Sequence, residues 1–425
     1  MKPEAIVRVT RRTVGHLAAR TAELDLAGVG DPRVGKVRWK VRDVLTACLV
    51  GMAAGSKGLG EVEDLTATLG RGARKQLGLW HRLPDTTARD LLCKFDPHQL
   101  RKLVHSSVRI ARRRKQLALD LPISAVSMDG KGTSTWLFEP AHAKVKYAQR
   151  RGELATVRTV TSCWVSVPGR PCAGDYPIPL HTNEMGIFVE APGALRKANP
   201  GLAELIMVDA GACGLDNASA VVDRGLHYLM CLTANQPTLR AEAERRLARL
   251  SADQCAAHNA DLDGSDVVER RVFIAEMDEH GWLDWTHLRT LVRIHVTRTN
   301  KTTDTVSTED RYYISSLPAK RLQAEQWGEL IRRRWSVENQ NHNTFDTIFS
   351  EDERPWILLP HGMLVVMLLR RLCYNLLTLY RAVTLRSELR RSLPWKSLLR
   401  TVYNSLLLAS QEAMASVRRR VLAVS

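Results

Sequence analysis

The stretch Ile123-Ser124-Ala125-Val126-Ser127-Met128-Asp129-Gly130-Lys131-Gly132 decides the fold class of this chain. A short, mostly apolar run of strand length stops at an aspartate and two glycines, the pattern of a buried strand meeting a turn. Residues before about 120 read as helical and basic, with an apolar helix core over 44–52. From 121 onward the texture alternates. Residues 156–167 are rich in β-branched side chains and read as a second strand. Residues 171–180 read as a third, near an edge, because proline cannot donate to a ladder. Glu184–Ala198 reads as a helix with Pro192 as its weak point. Leu205-Ile206-Met207-Val208 is another short strand, ending at Asp209, and is followed by a helix over 216–224 and a strand over 226–233. Strands alternating with helices make an α/β layer.

Residues 236–310 interrupt that alternation. A charged helix over 239–250, extended segments over 267–277 and 288–297, and a polar turn over 299–310 read as an inserted subdomain containing strands. Strand character returns at 311–316, and a long helix is expected over 324–349. The expected division is a basic helical region over 1–120, a core over 121–235 and 311–360, the insert over 236–310, and a basic helical C-terminal region over 361–425. The last carries Arg370, Arg371, Arg381, Arg386, Arg390, Arg391 and Arg418 to Arg420.

The composition narrows the partner. Among 425 residues, 62 lysines and arginines face 45 acids, a formal charge of +17. An excess of that size favours a polyanion, since phosphate neutralisation releases counterions. The eight cysteines form no Cys-x-x-Cys pair and no Cys/His set with zinc spacing, which fits reduced thiols in the cytoplasm. No apolar signal core stands at the N-terminus. The longest apolar stretch, 363–380, is interrupted by Arg370 and Arg371, so it reads as a core or interface helix and no membrane partner is expected.

The chemistry lies in three acids. Asp129 and Asp209 each close an apolar run, at the carboxyl edge where α/β sheets bind ligands. Either alone is more often a turn cap. The stretch from Trp335 to Asp346 adds Glu338 and His342, four apart and so on one helix face, with Ile331, Trp335 and Phe345 near the same side. The plain alternative for Glu338 is an ion pair with Arg334 or Arg332. Three carboxylates from two strands and a helix suit hard divalent ions held against phosphate. In a basic chain that points to DNA.

At these positions the chain resembles DDE transposases of bacterial insertion sequences, in the ISAs1-type branch near the IS4-like elements. The resemblance runs over 45–356. It includes Ala54-Gly55-Ser56-Lys57, Asp129-Gly130-Lys131, Thr182-Asn183-Glu184-Met185, Val208-Asp209-Ala210, Ala234-Asn235-Gln236, Tyr312-Tyr313-Ile314-Ser315-Ser316-Leu317 and the block over 335–352. It implies an RNase H-like catalytic core, a mixed sheet flanked by helices. Asp129, Asp209 and Glu338 would bind two magnesium ions, with manganese as a substitute. Lys131, Asn183, Glu184, Arg334, Asn339, His342 and Asp346 would support them, Lys131 and His342 at the phosphate. The implied partners are transposon-end DNA with terminal inverted repeats, target DNA, and a second copy of the chain or more, in the cytoplasm at the nucleoid. The implied reaction is 3′-end cleavage followed by strand transfer. The chain departs from the family at Ser134 and His181, where arginine and lysine are usual. Ile331 and Phe345 stand where the Tyr-Arg-Glu-Lys signature has its tyrosine and lysine. The alternatives are an RNase H-like nuclease without strand joining and a catalytically inactive, transposase-derived DNA-binding protein.

Overall fold

The computed structural model describes residues 3–136, 154–277, 285 and 287–414; Arg418 to Arg420 lie outside them. Nine strands form one mixed sheet in the order β3-β2-β1-β4-β5-β9-β8-β7-β6. They are β1 (Ala125–Trp136), β2 (Leu154–Trp164), β3 (Cys172–Pro177), β4 (Leu205–Val208), β5 (His227–Leu232), β6 (Ala257–Asp263), β7 (Asp266–Glu276), β8 (Thr290–Asn300) and β9 (Val306–Ser315). β1, β4 and β5 run parallel, and every other neighbouring pair is antiparallel.

The expected strands and helices of the α/β region are present, with corrections. β1 does not stop at Asp129. It runs on to Trp136 because β2 pairs with it along its whole length, from Val126↔Trp164 to Trp136↔Leu154. The helix Glu184–Ala198 continues through Pro192, whose ring is buried. The long helix expected over 324–349 is three segments: Ala324–Arg334, a π-helical turn Val337–His342, and Asn343–Thr347. The strands of 236–310 are continuous with the main sheet. β9 pairs with β8 along its length, and its end, Tyr312 to Ser315, also pairs with β5. One strand thus belongs to both parts, and the polar turn shrinks to 301–305.

Alternation along β1 and β4 separates two apolar layers. Val126, Met128, Ile206 and Val208 pack under the helix Glu184–Ala198, against Ile187, Phe188 and Leu195. Ala125, Leu205 and Met207 pack on the other face, under Trp327, Leu330 and Ile331 of Ala324–Arg334.

The two ends of the chain share a third core. Helices Pro3–Glu23, Val41–Ala54, Asp85–Lys94 and Pro97–Arg113 close around Pro360–Leu379 and Trp395–Leu408. His16 joins them, its Nε2 against the Leu376 carbonyl at 2.9 Å and its Nδ1 against Thr384 Oγ1 at 2.8 Å. Burial pushes this imidazole down to about 3, so it stays neutral.

The segment Pro360–Thr384 is long and apolar enough to cross a membrane, but 94% of its apolar window is buried in the protein. Its two arginines explain its place. Arg371 pairs with Asp175 of β3 and with Glu351, all three fully buried, and Arg370 lies 3.7 Å from Glu351. Burial opposes the charge on Arg371, yet Glu351 and Asp175 outweigh it and hold the group above its ordinary range. Burial pushes Arg370 down to about 10, with Glu351 opposing. Removing one partner leaves a desolvated charge unpaired. Asp175→Ala is therefore expected to cost about 3–5 kcal/mol in urea unfolding; a loss under about 1 kcal/mol would show that the network is not what joins the sheet to the helical body.

Candidate functional site

Register brings two of the three acids together. β1 and β4 pair as Ala125↔Leu205, Val126↔Ile206 and Ser127↔Met207. Carried two residues further, the same offset sets Asp129 abreast of Asp209. β4 ends at Val208 while β1 continues, so the edge of β1 beyond Met128 has no strand partner on that side among the described residues. A notch opens there, and alternation turns both aspartates toward the layer that holds the broken helix. Asp209 also accepts from the Ala212 amide at 3.1 Å, which shapes the turn leaving β4.

The broken helix covers the notch. Ser127 Oγ donates to the Arg334 carbonyl at 2.6 Å and pins the helix to β1. Beyond it the turn widens to i→i+5 bonding, with the Asn343 amide reaching the Glu338 carbonyl. Asn341 holds this turn from behind. It is fully buried, and its Nδ2 donates to the Arg170 carbonyl and to Tyr374 Oη, each at 3.2 Å. His342 thereby comes to lie with Nδ1 3.4 Å from Asp129 Oδ2, while its buried Nε2 has no hydrogen-bond partner among the described residues. Glu338, 41% exposed, stands 3.6 Å from the buried Arg334. The simple ion-pair alternative for Glu338 is thus present, but loose.

A fourth carboxylate enters from the opposite layer. Asn183 caps the helix Glu184–Ala198, its side chain accepting from the Gly186 amide. Glu184, the first residue of that helix, accepts from the Gly130 amide at 2.9 Å. A Cβ at 130 would lie 2.2 Å from Glu184 Oε2, so a larger residue there would push the carboxylate out of this position.

The remaining expected residues take other places. Lys131, buried, binds Asp346 at 2.7 Å and Asp352 at 3.4 Å, and Thr133 donates to Asp352 at 3.0 Å. Lys131 and Asp346 therefore lock β1 to the helix Asn343–Thr347, and the ammonium does not face the notch unpaired. Burial raises Asp346, and Asp352 and Glu351 add to it against Lys131. Asn339 is exposed and lines a cavity on the far side of the helix. Asn341 and Asp352 were not singled out from sequence; their only signals were a second amide in the motif and the acidic run Glu351-Asp352-Glu353.

The electrostatics are those of crowded anions. Burial raises Glu338, and Asp129 and Asp209 raise it further against Arg334. Burial likewise raises Glu184, helped by Asp129 and Asp209 and opposed by the Gly130 amide. Among the described residues, no group of three or more histidines, cysteines or acids stands close enough to ligate an ion as placed. The donor chemistry nonetheless fits a hard divalent cation. Four carboxylates repel one another here, and a buried imidazole nitrogen is unsatisfied.

Residues 193–376 match a family profile described as "Transposase DDE domain". That span includes Asp209 and Glu338 and begins after Asp129. No curated protein matches the chain. Among solved structures, the cryo-EM structure of a piggyBac transposase synaptic complex with hairpin DNA aligns at 11% identity and a TM-score of 0.41. The alignment covers 100% of this chain and 85% of that one, a likeness too low to bear on mechanism.

The raised carboxyls have a sign. An acid whose folded value is raised binds its proton more tightly in the folded state. Its stabilising contribution is complete at low pH and is lost as pH rises through the folded value. Glu338→Gln should therefore raise the melting temperature of the metal-free protein by about 1–2 °C at neutral pH and leave it nearly unchanged near pH 4. Magnesium should raise the wild-type melting temperature more at pH 7.5 than at pH 5.5, as measured by calorimetry. Equal shifts at both pH values would mean that these carboxylates do not hold the ion.

Proposed function

We propose that this chain is a DDE-type transposase that binds the terminal inverted repeats of an insertion sequence, cleaves the 3′ ends and joins them to target DNA. One observation carries the reading. Asp129 and Asp209 stand abreast at the end of a parallel strand pair, beneath a helix that brings Glu338 over them, and two of the three fall in the span similar to DDE transposases. The order β3-β2-β1-β4-β5, with its first three strands antiparallel and β1, β4 and β5 parallel, supports an RNase H-like core.

Asp129, Asp209 and Glu338 would hold two magnesium or manganese ions, with Glu184 beside them. Such ions, when bound, activate an attacking water or 3′-hydroxyl and stabilise the leaving oxygen. The chain's own residues do the rest. Arg334 restrains the Glu338 carboxylate. His342 keeps Nδ1 on Asp129 and so holds that carboxylate in place. Asn183 positions Glu184 by capping its helix, and Lys131 with Asp346 keeps the helix seated while DNA is bound. The basic helices of residues 1–120 would take the transposon ends. Joining two ends to one target calls for at least two copies of the chain. The ISAs1-type assignment rests on the sequence blocks alone.

The test uses DNA carrying the inverted repeats that flank the reading frame. Wild-type protein is expected to nick the 3′ ends with magnesium or manganese and not in EDTA, and to join pre-cleaved ends to a target plasmid. Asp129→Ala, Asp209→Ala and Glu338→Ala should each lower the rate by roughly 1,000-fold or more while keeping end binding. Cleavage without joining of pre-cleaved ends would identify a nuclease. Unchanged processing by Asp209→Ala would falsify the metal-site assignment.

A further inference from the structure

The turn that carries Glu338 and His342 has a second face, which the carboxylate site does not use. On it Asn339, Gln340, Asn343 and Thr347 line a cavity of 720 Å3. The opposite wall comes from the turn 167–170, from Tyr374 and Thr378, and from Arg381, Trp395 and Lys396.

The cavity is built, and its chemistry is uneven. Arg170 holds a left-handed backbone at φ 48, a conformation that costs a non-glycine residue energy. Gly169 beside it, at φ 79, packs so closely that a Cβ would lie 2.5 Å from Thr378 Cγ2. Arg170 donates to Ser336 Oγ at 2.9 Å, and Arg381 donates to the Leu393 carbonyl at 2.6 Å. Among the described residues neither makes an ion pair, and burial lowers both. The cavity's single acid, Asp120, is engaged by Arg333. Three cations therefore face the space with no carboxylate at ion-pair distance among the described residues, although Asp120 and Glu329 lie near enough to attract Arg170. Arg381 Nε, buried in the same wall, has no hydrogen-bond partner among the described residues. The Arg381 guanidinium lies 4.2 Å over the Trp395 ring, giving the wall an aromatic and cationic surface.

Cations with no ion pair among the described residues, an aromatic wall, and amides that both donate and accept call for a ligand with a phosphate, a flat ring and polar edges. That is a nucleotide, and the volume is of the size that small-molecule sites occupy. We propose that this cavity takes one unpaired nucleotide of a DNA strand, its phosphate toward Arg170, Arg381 and Lys396 and its base toward Trp395 and the amides of Asn339 and Asn343. The assignment rests on the reading of the substrate as DNA, and deepens it. One short helical segment would meet the scissile phosphate on one face and an unstacked nucleotide on the other.

The test is fluorescence anisotropy of full-length protein with a short labelled oligodeoxythymidylate in EDTA, with a duplex of equal length as control. Asn343 and Lys396 are exposed, so the double variant Asn343→Asp, Lys396→Glu should keep the wild-type melting temperature. It is expected to weaken single-strand binding about tenfold or more and duplex binding less than about twofold. Excess thymidine 5′-monophosphate should displace the strand where thymidine does not. Strand binding that the double variant leaves intact, or a loss shared equally by duplex, overturns the proposal. Variant-sensitive strand binding without any magnesium-dependent DNA processing would instead remove the transposase reading and leave the cavity assignment standing.

Discussion

Arg371 sits, fully buried, where three parts of the chain meet. Asp175 reaches it from β3, Glu351 from the segment that follows the broken helix, and the guanidinium itself belongs to the long apolar helix Pro360–Leu379. A desolvated guanidinium missing either carboxylate would be strongly unfavourable. The sheet edge, the helical body and the end of the site helix must therefore arrive together. The same requirement explains why a helix apolar enough for a bilayer is instead the central helix of a buried core. Its arginines need partners that only this protein's own β3 and Glu351 supply.

Within that frame, the site follows from unequal strand lengths. β4 is four residues and β1 is twelve, so the parallel pairing stops while β1 is still held by β2. The exposed edge becomes a notch with an aspartate on each side. Both layers then contribute to it. The helix above brings Glu338 and His342, and the helix below brings Glu184, whose carboxylate lies close against Gly130. Four carboxylates with one guanidinium and one imidazole leave an excess of negative charge. In an otherwise basic protein, that local inversion is the physical basis of the cation site proposed above.

The π-helical turn serves both faces of one segment. A regular α-helix over 324–349 would have put Glu338 and His342 in one stripe. The widened turn lets the buried amide of Asn341 reach Arg170 and Tyr374 while His342 reaches Asp129. It also leaves Asn339 and Asn343 facing the opposite cavity. The turn is thus kept open by packing from behind it, and both surfaces depend on that packing.

Much of this was legible in the residues. The alternating apolar runs placed β1 to β5, prolines marked β3 as an edge, and the three acids stood out because each followed an apolar run or shared a helix face with a histidine. These are local properties, carried by periodicity and by turn chemistry. The continuation of β1 past Asp129 was not legible, because a partner strand overrode the stop signal of the two glycines. The break in the helix was hidden for the same reason, since nothing in Ser336 to Asn343 forbids an α-helix until Asn341 finds Arg170 and Tyr374. The ion pairs of Lys131 and of Arg370 and Arg371 also depend on residues 19 to 221 positions away. The sequence by itself determined which segments could be strands or helices and which residues could bind a cation. The tertiary structure alone decided which of them meet, because register, burial and the pairing of desolvated charges are properties of contacts between segments and are written in no single one.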